Sequence, residues 1–162
     1  IEEAYEELLK VQSTPPYPSW IIVMSIGLAA GFFTIVFSGS FSDFIVSTII
    51  GFTLGFIDIC FNRLNISKFF YDIIGGIVIA LIAIIFTKFI NFGTNFDLII
   101  IGSIMPLVPG VAFTNAIRDT IEGNLLAGIS RAVEALIIAA SIATGVGIML
   151  KLFYIIYGGH II

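Results

Sequence analysis

The sequence predicts an all-α protein, a polytopic transmembrane helical bundle of about five spans in which one helix is broken by proline and glycine. Three observations lead there. Hydrophobic residues make up 59% of the 162-residue chain and charged ones only 11%, less than half of the roughly 25% found in a water-solvated domain. Mean hydropathy is +1.14. The apolar residues gather in runs of about 20, the length that a helix rising about 1.5 Å per residue needs to cross the hydrocarbon core.

Along the chain, residues 1–14 read as the end of a cytoplasmic helical region and residues 15–162 as the transmembrane domain. In IEEAYEELLKVQ, Ala4, Leu8 and Val11 share one helix face and the acids lie opposite. STPPYPSW stops any helix, and Tyr17 and Trp20 suit the membrane–water boundary. Uninterrupted spans follow at 20–37, 41–61, 69–90 and 125–157. The last exceeds what a bilayer needs, so its LLAGISRAVEA start either lies in the interface or belongs to a long, tilted helix. A fifth span at 98–117 is interrupted by PLVPG.

Gly27 and Gly31, Gly51 and Gly55, and the pair Gly75–Gly76 mark places where helix backbones can approach closely. Asp43, Asp72 and Asp97 each begin an apolar run and read as caps favoured by the helix dipole. Cys60 is the sole cysteine, which leaves no intrachain disulfide, and it reads as a small buried side chain. Lys10, Arg63, Lys68, Arg118 and Arg131 fall on one side, against Lys88 and Lys151 on the other. That bias predicts a cytoplasmic N-terminus in a plasma membrane. The chain opens on Ile1 without a basic leader, so the expectation is that residues precede it and that no signal peptide is present.

Chemistry concentrates in IGSIMPLVPGVAFTNAIRDTIEGN, residues 101–124. Pro106 and Pro109 lack amide hydrogens and Gly110 tolerates unusual dihedrals, so the span should break near mid-membrane. Backbone groups freed there must face protein, water or a solute. A half-helix N-terminus is suited to an anionic group, although an ordinary proline kink fits the pentad equally well. On the helix resuming near Val111, Asn115 and Asp119 share a face, with Thr114 and Arg118 beside it, and Gly123–Asn124 turns into the last helix. There Arg131 and Glu134, three apart, are able to pair. Glu122 reads as part of a solvated loop; Asp119, Arg131 and Glu134 read as a buried polar network. Asp58, in GFIDICF, is either a proton-carrying carboxylate within the second span or part of an interfacial turn with Asn62 and Arg63. No HExxH, GxSxG or P-loop is present, and His160, the only histidine, has no evident partner. An enzyme, a metal site, a cofactor and nucleic-acid binding are therefore not expected.

The segment 106–148 resembles the first membrane domain of the threonine/serine exporter family. The matching motifs are PLVPG (106–110), NAIRD (115–119), GNLLAG (123–128), RAVEA (131–135) and GVG (145–147). The resemblance implies a five-span domain after a cytoplasmic region. It also implies proton-driven export of a small carboxylate metabolite, threonine or serine in some relatives and a dicarboxylate such as succinate in others. A split form, with a second, smaller membrane subunit, fits a chain that stops soon after its fifth span. On this reading the Pro106–Gly110 break binds a carboxylate, with hydrogen bonds from Thr114 and Asn115. Asp119, with Asp58, handles protons, and Arg131 and Glu134 hold or gate the cytoplasmic mouth. The rival expectations are a non-transporting subunit of a hetero-oligomer and a channel.

Overall fold

A computed structural model describes residues 18–64 and 66–157. The predicted helix at 1–14, Tyr17 and His160 lie outside the described residues. Among the described residues there are six α-helices: α1 (Ser19–Val36), α2 (Phe41–Arg63), α3 (Lys68–Ile84), α4 (Phe96–Ile104), α5 (Gly110–Ile121) and α6 (Leu125–Tyr157). A π-helical turn, Ile85–Phe89, extends α3, and a 3-10 turn, Met105–Leu107, follows α4. By length and composition α1, α2, the extended α3 and α6 can each cross a membrane. The α4–α5 pair, bent by 58° at its break, makes a fifth span if taken as one. Four intact spans and one broken one therefore agree with the sequence. α6 is one continuous helix of 33 residues, roughly 50 Å long against a hydrocarbon core of about 30 Å. Its LLAGISRAVEA start is thus part of the long helix.

The helices form two closely packed groups. α1 lies along α2 and α4, while α6 lies along α3 and α5; contacts of α3 with α2 and α4 join the groups. Lipid is as apolar as leucine, so helices associate here through close approach rather than through expulsion of water. Glycine allows that approach. A Cβ on Gly51 would fall 2.7 Å from the Gly27 Cα and from the Ile26 carbonyl oxygen. One on Gly76 would fall 2.6 Å from the Ile142 carbonyl oxygen, and one on Gly145 would collide with the carbonyl of Ile73. Val46, Ile50, Leu54, Ile79 and Ile99 fill the fully buried core. The outer face carries side chains such as Phe56 and Leu126, which are exposed and apolar as a lipid boundary requires.

Asp43 closes one end of the bundle. It is the N3 residue of α2 and forms a reciprocal capping box with Ser40. Its Oδ1 also accepts the amides of Thr94 at 2.6 Å and Asn95 at 3.1 Å, tying the loop before α4 to the start of α2. Nearby, the Thr34 hydroxyl donates to Ser47 Oγ at 2.7 Å, joining α1 to α2. Asp97 stands in the first turn of α4, as expected of a dipole-favoured acid.

Two expectations are corrected. Asp72 caps nothing: α3 starts earlier, at Lys68, so Asp72 lies beyond the first turn and is fully buried. Cys60 is exposed rather than buried. The outside of a membrane bundle is as apolar as its inside, so apolar sequence neighbours do not mark a buried face.

The α3–α6 seam supplies a matched pair of substitutions. Gly145→Val should lower thermal stability in detergent by about 1–3 kcal/mol through overpacking. Gly147→Ala, which meets nothing within 4 Å, should leave the melting curve of the purified protein nearly unchanged.

Candidate solute cavity at the broken helix

The break follows from proline chemistry. α4 gives way to the Met105–Leu107 turn, and Pro109 precedes α5 with φ −78° and ψ 54°. The Gly110 amide donates back to the Val108 carbonyl at 2.8 Å and the Phe113 amide to Pro109 at 3.0 Å. The first amides of any helix lack intrahelical acceptors, which leaves those of Val111 and Ala112 to whatever approaches the helix end. Gly110 contributes differently from the expectation. It is an ordinary helical residue without positive φ, and a Cβ there would meet nothing within 4 Å. Its role is to leave the backbone uncovered.

A cavity of about 550 Å³ opens against this helix end, within the range of about 300–1,000 Å³ usual for small-molecule sites. Pro106, Pro109, Gly110, Val111, Ala112 and Asn115 form one wall. Asp58 of α2 and Arg131 and Glu134 of α6 form others. Seven of the nine residues singled out from sequence thus meet around one space. Asp58 lies within α2, which runs on to Arg63, rather than in an interfacial turn; it accepts from Asn62 Nδ2 at 3.2 Å and lines the cavity.

Thr114 and Asp119 are not in the lining. The Thr114 hydroxyl donates to the Gly110 carbonyl at 2.8 Å, within its own helix. Asp119 sits one turn beyond Asn115, with Oδ2 3.2 Å from Arg131 Nη1. The approach is an ion pair by distance but lacks the alignment of a hydrogen bond. Arg131 is therefore held across the α5–α6 contact by Asp119 rather than along α6 by Glu134. Arg118 and Glu122 pair at 2.9 Å with both side chains exposed, which suits a solvated loop.

Sequence reading passed over Lys68, Tyr71 and Asp72, which line the cavity from α3. A signal was present. Spacings of three and four put these groups on one helix face at the start of an otherwise apolar span. Asp72 is fully buried, and neither carboxylate oxygen has a hydrogen-bond partner. The cavity thus combines two cations, three carboxyl groups, an amide side chain and a helix N-terminus.

A helical bundle with apolar spans and a polar cavity at a broken one is a multi-pass membrane protein. The chain belongs to the ThrE family: the model of that family, described as putative threonine/serine exporter, matches residues 1–153. Its description is that of a transporter family rather than an enzyme family. Comparison with curated proteins and with solved structures returned no match.

A double-mutant cycle on Asp119→Asn and Arg131→Gln, read as thermal stability in detergent, should give a coupling of about 1 kcal/mol. The half-exposed guanidinium makes added salt reduce it. The exposed Arg118–Glu122 pair should couple by close to zero in the same assay.

Proposed function

We propose that this chain is the membrane subunit of a proton-coupled secondary exporter of small carboxylate metabolites of the threonine/serine type. The observation that carries this reading is the cavity at the broken span. The unpartnered amides of Val111 and Ala112 and the half-helix dipole receive the substrate carboxylate. Asn115 and Arg131 add a hydrogen bond and a charge, and Asp119 holds the guanidinium in position. Pro106, Pro109 and Gly110 keep the helix end open. Asp58, on the opposite wall, handles protons, and Glu134 stands at the mouth. The cavity lies at the end of the bundle bearing Arg63, Lys68, Arg118 and Arg131. With that end in the cytoplasm of a plasma membrane, the cavity is the loading side of an exporter.

A second protein component completes the assembly in this reading. Among the described residues α5 packs mainly on α6, and Ala116 is its one buried residue. A helix bearing Asn115, Arg118 and Asp119 is poorly suited to bare lipid, so a second, smaller subunit or another copy of this chain covers it. The presence of both Lys68 and Arg131 favours, as the alternative substrate, a dicarboxylate such as succinate.

Proteoliposomes loaded with labelled threonine test the reading. Efflux should follow an imposed pH gradient, and Arg131→Gln should slow it by about tenfold or more, as expected for loss of a charge-assisted contact. Arg118→Gln should leave the rate unchanged. Flux that ignores the gradient would indicate a channel, and flux only on adding a partner subunit would make this chain half of the transporter.

A further inference from the structure

We infer that Asp72 is the residue at which proton and substrate exchange: one carboxyl group that holds either a proton or the substrate's ammonium, never both. The inference rests on the exporter reading of the same cavity and deepens it. Asp72 is fully buried, and neither Oδ1 nor Oδ2 has a hydrogen-bond partner. It nevertheless borders the cavity that Asn115, Arg131 and the α5 N-terminus face. A buried ionised carboxylate without donors is costly, so something that arrives must neutralise it.

The groups around it decide what arrives. Asp58 faces the cavity from α2, Lys68 and Tyr71 from α3, and Arg131 and Glu134 from α6. Arg131 is engaged with Asp119. The Tyr71 hydroxyl points to the Leu54 carbonyl at 3.5 Å. Asp58 and Glu134 are acids and add to the demand for a cation. Lys68 lies one turn before Asp72 on the same face but is exposed. A zwitterion whose carboxylate sits at the Val111–Ala112 amides brings its own cation into the same space. The step balances: protonated Asp72 meets the substrate ammonium, the carboxylate–ammonium pair forms, and the proton leaves to water in the cavity. On the opposite side the reverse exchange takes up a proton from the water there and releases the substrate. Because one carboxyl group serves both ligands, the exchange at Asp72 itself is one proton for one substrate.

The test uses purified chain, radiolabelled threonine, and 3-hydroxybutyrate, the same skeleton without the amino group. Threonine binding in weakly buffered detergent should release about one proton per site. Asp72→Asn should abolish that release and weaken threonine by tenfold or more, while 3-hydroxybutyrate binding changes by less than about threefold. Asp72→Glu, which keeps the carboxyl, should retain proton release, and Lys68→Gln should retain it too. Asp72→Asn that binds threonine normally with normal proton release overturns the inference, as does release that vanishes with Lys68→Gln alone. Wild-type chain that binds threonine without releasing a proton also overturns it, yet leaves the exporter reading standing. Wild-type chain that binds neither compound nor succinate defeats that reading, and the inference with it.

Discussion

The constraint on which the rest of this structure depends is that backbone hydrogen-bonding groups cannot be left facing hydrocarbon. Elsewhere in the bundle continuous helices meet it. At Pro106–Gly110 they cannot, because two prolines within four residues remove donors and block the preceding turns. The chain answers with a short 3-10 turn and a second helix set at 58° to the first. The remaining unpaired amides, at Val111 and Ala112, belong to residues that line a polar cavity. Asp58, Asp72, Asn115 and Arg131 line the same cavity, so the freed backbone groups meet polar surroundings rather than hydrocarbon. Polar side chains at this depth are tolerated for the same reason.

Two aspartates show how differently one residue type can be used under this constraint. Asp43 and Asp72 are both fully buried near the start of a span. Asp43 accepts donors from Ser40, Thr94 and Asn95 on both oxygens, so its carboxylate is hydrogen-bonded throughout and one end of the bundle is fastened. Asp72 has no such donors. A saturated carboxylate rigidifies, whereas an unsatisfied buried one is costly; the closed end of the molecule and its open cavity differ in this respect.

The spans and the break were legible in the sequence because both rest on local rules. Hydrophobic run length sets the first, and the loss of amide hydrogens at Pro106 and Pro109 sets the second. Asn115 was legible because a helix resuming at the break has only one face towards it. Asp72 was misread because nothing in YDIIGG tells a dipole-favoured acid from one carried inside. The difference depends on α3 beginning at Lys68 and on Leu107, Arg131 and Ile138 arriving from distant segments. Cys60 was misread for a complementary reason, since hydropathy cannot separate lipid-facing from protein-facing positions. The partner of Arg131 also needed tertiary structure: the i, i+3 spacing offered Glu134, whereas the α5–α6 packing delivers Asp119.

The arrangement of the seams bears on how such a cavity can serve two sides of a membrane. α1, α2 and α4 are locked by Gly27 against Gly51 and by Gly102 against Thr34. α3 and α6 are locked by Gly76 and Gly145, and α5 joins them through Gly128 against Ala116 and Thr120. Backbones packed this closely move as units, because any sliding between them meets main-chain atoms rather than adaptable side chains. The cavity lies where the two units meet, with Asp58 on one and Asp72, Arg131 and Glu134 on the other. The chain crosses between the units three times, between α2 and α3, between α3 and α4, and at Val108–Pro109, the last a point crossed by the tight Gly110-to-Val108 bond instead of a helical ladder. A rocking of one unit against the other would thus place its backbone change at all three connections, the break among them. The prolines that interrupt the span thus also mark one of the three places where the two halves of the bundle could turn against each other.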